Sequence, residues 1–307
     1  MKNFIGKLLS GTVAQIGEGA IGRGLEEIRQ PRNLDGGVKM KKAKTELRSV
    51  LLSQEKNIAT VTLNRPEVLN AMSLALMEDL RKAVDITAKD ESIRAVIING
   101  AGKAFCAGGD LQDAARMCNI NPLEYAQYIN DGFFEPIKRI VWIEKPVIAA
   151  IKGFAVGGGF DLAMACDIRI AARGTKMGSA FIRMGLLPEL GGIHLLPRLV
   201  GVGMAKLLAF TGEFITAEEA ERIGLVEKVV PEEELDKTVR DLAEKLARGP
   251  TKAIGMTKMA INRSLDMDLQ SSADYCWRLN SLLLQTQDFH EGLTAFLEKR
   301  APIFGGK

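Results

Sequence analysis

Two glycine-rich turns hold the residues whose types and spacing can do chemistry. Gly153-Phe154-Ala155-Val156-Gly157-Gly158-Gly159-Phe160-Asp161-Leu162-Ala163-Met164-Ala165-Cys166-Asp167 reads as a buried strand, a tight turn, and a helix that starts at the last glycines. A helix start offers unpaired backbone N–H groups, and glycine lets a ligand oxygen come close to them. Taken alone, such a turn holds an oxyanion or a phosphate equally well. Upstream, Ala104-Phe105-Cys106-Ala107-Gly108-Gly109-Asp110-Leu111 has the same character. Two such turns can aim two N–H donors at one point, the arrangement that holds an anion.

The elements that must position these turns alternate between strand and helix. Ile58 to Leu63 alternates with period two and ends at Asn64-Arg65-Pro66. Ser73 starts a helix carrying Leu76, Met77, Leu80, Ala83 and Val84 at helical spacing. Ala95 to Ile98 is an apolar run of buried-strand type. A single helix is expected from Pro122 to Ile143, then strands over Pro146 to Ala150 and Cys166 to Ala171. Thr216-Ala217-Glu218-Glu219 has the form of a capping box. From Glu232 the pattern is helical, with an interruption at Gly249-Pro250. Strands followed by helices predict an α/β fold with a helical C-terminal part.

With 307 residues, 47% apolar and 26% charged, the chain has the composition of an ordinary globular protein. A formal net charge of +3 argues neither for nucleic acid nor for an anionic membrane. Cysteines 106, 118, 166 and 276 form no CxxC pair, and two histidines, His194 and His290, leave no zinc site to expect. Free cysteines in apolar segments suit a reducing compartment. No apolar run reaches the roughly 18 residues of a membrane span. Residues 1–45 differ from the rest. Phe4, Ile5, Leu8, Leu9, Val13 and Ile16 fall at helical spacing, but six glycines between Gly6 and Gly24 oppose a helix by about 1 kcal/mol each. Neither a secretory signal nor a transit peptide fits this composition. A translation start at Met40 is the plainer expectation, with Gly36-Gly37 read as a translated ribosome-binding stretch. Peptides from upstream of Met40 in the native protein would refute it.

From about Ser49 onward the chain resembles the enoyl-CoA hydratase/isomerase, or crotonase, family. The resemblance rests on the two glycine turns together with Leu63-Asn64-Arg65-Pro66, Asn70-Ala71, Lys145-Pro146-Val147-Ile148-Ala149-Ala150, Gly185-Leu186-Leu187-Pro188, Leu196-Pro197-Arg198-Leu199-Val200-Gly201 and Ala295-Phe296-Leu297-Glu298-Lys299-Arg300. It implies a stacked ββα core over residues 46–245 and a C-terminal helical region over 246–307 used in trimer assembly. It also implies a CoA thioester substrate, with no separate cofactor, and a homotrimer or hexamer. A cytoplasmic location is expected, or an organellar matrix in a eukaryote. The N–H groups of Gly109 and Gly158 would hold the thioester oxygen, and such donors are worth roughly 3–4 kcal/mol each. Ala107, Asp110 and Leu111 would line the CoA edge, and Phe296 and Lys299 would meet CoA from the C-terminal helix.

An oxyanion hole moves no proton, so a base is required, and partly desolvated carboxylates serve. The family draws its acids from three places. Asp161 stands where hydratases have one glutamate, and Phe181 stands where they have the other, so the standard hydratase pair is broken. Glu189, after Pro188, matches the catalytic acid of enoyl-CoA isomerases. The resemblance therefore implies an isomerase in which Glu189 carries the proton and Phe181 helps exclude water. Hydration, with Asp161 and Glu189 placing a water, is the alternative. A third reading is a non-catalytic acyl-CoA-binding or scaffold protein, which the two retained acids oppose.

Overall fold

The computed structural model describes residues 47–117 and 120–307. The readings for residues 1–45 and for Cys118 lie outside them. A hairpin opens the described chain: β1 (Val50–Glu55) pairs antiparallel with β2 (Ile58–Leu63), turning at Lys56, which has φ 52°. Helix α1 (Leu74–Lys89) begins where Ser73 predicts, its hydroxyl accepting from the Leu76 N–H at 3.3 Å. Strands β3 (Ala95–Gly100), β4 (Val147–Ile151), β6 (Ile168–Ala172) and β9 (Lys228–Val230) then add in parallel, giving the order β1-β2-β3-β4-β6-β9.

These central strands are apolar on both faces because helices cover both. On one side α8 (Glu232–Ala247) places Leu235, Val239, Ala243 and Ala247, a stripe at four-residue spacing, against Ile97, Ile148 and Ile170. On the other, Leu76, Met77 and Leu80 of α1 share one core with Val61, Val96 and Ile98. That core also takes in Phe160, from α5 (Gly158–Ala165). A smaller sheet of β5 (Phe154–Val156), β7 (Lys176–Gly178) and β8 (Ile215–Thr216) carries the second glycine turn. The α/β class with a helical C-terminal part is thus borne out.

Several local expectations are corrected. The helix expected from Pro122 to Ile143 is three pieces: α3 (Pro122–Ile129), a wide π turn (Asn130–Phe134) and α4 (Glu135–Trp142). Pro136 has no N–H for the Gly132 carbonyl, and the backbone widens so that the Glu135 N–H reaches the Asn130 carbonyl. The capping box, at the start of α7 (Ala217–Arg222), is half formed. The Thr216 hydroxyl accepts from the Glu219 N–H at 3.2 Å, but the Glu219 carboxylate turns outward to Arg222 at 2.5 and 2.8 Å. Helix α6 (Gly192–Thr211) is long and apolar enough to cross a membrane, against the expectation of no such run. Two apolar segments, each too short and interrupted by Arg198 and Lys206, abut across Gly201, whose φ 78° and ψ 159° break the helix. Strands β7, β8 and β9 escape sequence reading because two or three residues show no period.

After α8 come α9 (Thr251–Ser264), α10 (Leu269–Leu283) and α11 (Gln287–Leu297). The boundary expected between residues 245 and 246 lies inside the last turn of α8 rather than in a linker. Buried polar groups tie α9 to the core: Lys258 Nζ donates to the Ile140 carbonyl at 2.9 Å and pairs with Asp167 at 2.9 Å. Asn262 donates to the Val141 carbonyl at 2.9 Å.

Candidate active site

The segment Leu69–Met72 sets the first glycine turn. Leu69 and Asn70 both take left-handed φ angles, 53° and 58°. Asn70 is fully buried and its amide is used up: it accepts from the Arg65 N–H at 2.9 Å and donates to the Ala101 and Ala104 carbonyls at 2.9 and 2.8 Å. The Ala107 N–H donates to the Leu69 carbonyl at 3.0 Å, Met72 N–H to Gly108 at 2.7 Å, and Asp110 N–H to Met72 at 2.9 Å. Three short backbone bonds therefore hold Gly109 on both sides.

The second turn is stitched to the first. Cys106 N–H donates to the Phe154 carbonyl at 2.9 Å, and Val156 N–H donates back to Cys106 at 3.0 Å. The approach is so close that only glycine fits. A Cβ on Gly159 would stand 2.3 Å from the Cys106 carbonyl oxygen, and Gly108 has φ 101° with the Val156 oxygen 2.9 Å from its Cβ position. Gly158 opens α5, and its N–H, as the first of a helix, has no intrahelical acceptor. Among the described residues neither the Gly109 nor the Gly158 N–H meets a hydrogen-bond acceptor. Both glycines line one cavity of about 900 Å³, so the fold brings the two expected donors together. Cys106 beside them is buried and its thiol is pushed up to about 12 by burial, which leaves no thiolate nucleophile.

The acids fall in different places. Glu189 lies on the cavity wall, on the turn between Gly185 and α6, and its Oε2 accepts from the Tyr125 hydroxyl at 2.6 Å. Asp161 is not among the residues lining the cavity. It is 0% exposed, sealed beneath the same turn, with Oδ2 accepting from the Leu190 N–H at 3.2 Å. Asp161, expected beside Glu189 at the substrate, thus lies behind the cavity wall of the single chain rather than on it. It sits on the first turn of α5, whose residues are all buried, and the side chain points under the Pro188–Gly192 turn. Burial pushes its carboxyl up to about 7, and the charge of Glu189 adds to this, while the Leu190 and Gly192 amides pull the other way. The Gly192 amide lies outside good hydrogen-bond geometry, so Oδ1 has no formal partner.

Ala107, Asp110 and Phe181 line the cavity as expected positions, Phe181 from the short 3₁₀ turn Ala180–Met184. The Asp110 carboxyl is held below the ordinary carboxylate range, first by the Gln112 N–H at 3.0 Å and then by Arg65 at 2.9 Å. Leu111 opens α2 (Leu111–Met117), and its side chain lies outside the described ones. Phe296 and Lys299 are not on the cavity wall of the single chain. Phe296 is 81% exposed, at the end of α11, and Lys299 is exposed beyond it. Sequence reading missed Tyr125 entirely, and the bracing role of Asn70 was visible only as a motif match. Nothing in the local pattern marks a tyrosine on a solvent-facing helix as a partner of a residue 64 positions away.

The model of the enoyl-CoA hydratase/isomerase family matches residues 53–307. The chain belongs to this family. It is 40% identical over 256 residues to a short-chain-enoyl-CoA hydratase of Clostridium acetobutylicum, covering 83% of this chain and 97% of that one. It is 39% identical over 266 residues to the 1,2-epoxyphenylacetyl-CoA isomerase of Escherichia coli, covering 84% and 98%. The crystal structure of an enoyl-CoA hydratase from Bacillus anthracis superposes with TM-score 0.80 at 37% identity, over 85% of this chain and all of that one. The fold is accordingly the crotonase fold, and the protein is an enzyme of the hydratase/isomerase type. The non-catalytic reading is set aside.

Proposed function

We propose that the protein moves the double bond of an unsaturated acyl-CoA thioester, converting a 3-enoyl to a 2-enoyl compound. The Glu189 carboxylate takes a proton from C2. The electron pair released spreads through the double bond onto the thioester oxygen, which the Gly109 and Gly158 N–H groups receive. The same proton returns from Glu189 to C4, so one C–H bond breaks, one forms, and the double bond lies between C2 and C3. No separate cofactor takes part.

The observation that supports this reading is the split between the acids: Glu189 stands on the cavity wall while Asp161 is fully buried. One carboxylate against an apolar wall that includes Phe181 and Leu190 suits proton transfer between carbons. The Leu190 side chain lies 3.2 Å from the Cβ position of Gly158, so the Glu189 turn and the donor turn are neighbours. Hydration is the second reading. The Tyr125 hydroxyl beside Glu189 favours it, because the pair offers two polar groups to a water.

Turnover on 3-enoyl-, 2-enoyl- and dienoyl-CoA thioesters of several lengths tests the reading. The expected result is 3-enoyl isomerisation faster than 2-enoyl hydration, with Glu189→Gln lowering turnover at least ~100-fold. Faster hydration would transfer the assignment to the second reading. Unchanged turnover in the folded variant would remove Glu189 from the mechanism.

A homotrimer, or a hexamer of paired trimers, belongs to the same proposal. Its support is the apolar surface left by α10, α11 and the tail, where Leu269, Trp277, Phe296 and Ile303 are 62–88% exposed. The contact of Phe296 and Lys299 with CoA would then be a property of the assembled form. Sedimentation velocity reads the assembly directly, and a monomer at working concentration would refute it. The location proposed is the cytoplasm, or an organellar matrix in a eukaryote.

A further inference from the structure

We infer that Tyr125 is a positioning residue of this reaction, its hydroxyl fixing which carboxylate oxygen of Glu189 meets the substrate. The inference rests on the assignment of Glu189 as the proton carrier. The hydroxyl donates to Glu189 Oε2 at 2.6 Å, and both residues line the cavity. Among the described residues Oε1 accepts no hydrogen bond. One oxygen is thus held, and the other is left without a partner among the described residues, on a side chain that lines the cavity. A glutamate side chain turns about three torsions, and a base must reach both the carbon it deprotonates and the carbon it protonates. Holding Oε2 confines the carboxylate to a pivot from which Oε1 sweeps one face of the acyl chain. Orientation of this kind is a recognised source of rate.

Tyr125 is itself well placed to hold still. Asn121 caps α3, its Oδ1 accepting from the Leu123 and Glu124 N–H groups at 3.1 and 3.0 Å, and the Tyr125 N–H donates to the Asn121 carbonyl at 2.9 Å. Burial and the Glu189 charge keep the phenol protonated, so it stays a donor whenever Glu189 is ionised. From below, the Leu190 N–H anchors the same turn on Asp161 at 3.2 Å. The carboxylate of the base is pinned from above and its backbone from beneath.

A purely mechanical role would look different. Helix α3 has no fully buried residue, so Tyr125 could serve only as a strut that keeps α3 over the cavity. A strut acts whether or not residue 189 carries a base. A double-mutant cycle separates the two. The steady-state kcat and KM for trans-3-hexenoyl-CoA are measured for the wild-type chain, Tyr125→Phe, Glu189→Gln and the double variant. Tyr125→Phe removes only the hydroxyl and is expected to lower kcat roughly 10- to 100-fold, the range for a hydrogen bond to a charged group, with KM little changed. In the Glu189→Gln background the same substitution is expected to cost nothing further. Equal losses in both backgrounds, a rise in KM alone, or an unchanged kcat beside a crippled Glu189→Gln would each overturn the inference. Full turnover by Glu189→Gln would instead overturn the base assignment and carry this inference with it. If Tyr125→Phe lowers the unfolding midpoint, Glu189→Asp gives the same split, because it draws the carboxylate away from an intact hydroxyl. Its loss should then be insensitive to Tyr125→Phe, and additivity would refute the role.

Discussion

Replacing Asp161 with asparagine keeps the shape and removes the titration, and its effect can be worked from the site. The carboxyl is fully buried and pushed from 3.8 to about 7, first by burial. An acid with a raised native pKa contributes no penalty below its unfolded value, where both states hold the proton. As pH rises from about 4 to about 7, the unfolded chain ionises first and native stability falls. Above 7 the loss is complete. Between pH 5 and pH 8 this linkage removes about 2–3 kcal/mol from the wild-type chain, and Asp161→Asn escapes it. The amide also changes hydrogen bonding at Leu190 and at the unpartnered oxygen, which adds a constant offset but no pH slope. Urea unfolding at pH 5 and pH 8, followed by Trp142 and Trp277 fluorescence at one protein concentration, gives the test. The stability difference between variant and wild type should shift by that amount in favour of the variant at pH 8. A difference that stays constant across the two pH values would refute the buried, proton-holding reading of Asp161.

Three further outcomes are expected. On the isomerase reading Asp161→Asn should lower turnover less than Glu189→Gln on every substrate, because the fully buried residue does not line the cavity; equal losses in parallel assays would put Asp161 in the chemistry. Gly158→Val places its Cβ 2.8 Å from Met72 Sδ and 3.2 Å from Leu190 Cδ1, so it should displace the donor and abolish turnover on short and long acyl chains alike. A loss confined to long chains would make Gly158 part of the acyl wall. Asn70→Ala strands the buried Ala104 carbonyl and the half-buried Arg65 N–H and Ala101 carbonyl, so the urea midpoint should fall by the equivalent of about 2–3 kcal/mol. A neutral midpoint there would show that water replaces the amide.

What the sequence by itself determined is local in origin. Ser73 and Asn121 cap helices because their side chains reach N–H groups two or three residues away, and Ile58–Leu63 alternates because strand side chains do. The glycine turns were legible for the same reason, since only glycine fits where two backbones touch, and their pairing with the other motifs was enough to name the family. The break at Gly132–Pro136 was also written locally and was overlooked under a strong apolar period. The fate of the acids was not local at all. Asp161 and Glu189 both follow glycine or proline punctuation and look alike in the chain, yet one is sealed under the Leu190 turn and the other faces a cavity. Burial of that kind depends on how α5, the 3₁₀ turn and α6 pack, and no short window of residues contains it. Tyr125 depends on it still more, because its hydroxyl finds Glu189 only after α3 has folded over the cavity. Only the tertiary structure separates the two carboxylates, because packing puts Glu189 on the cavity wall and Asp161 beneath the turn that carries it.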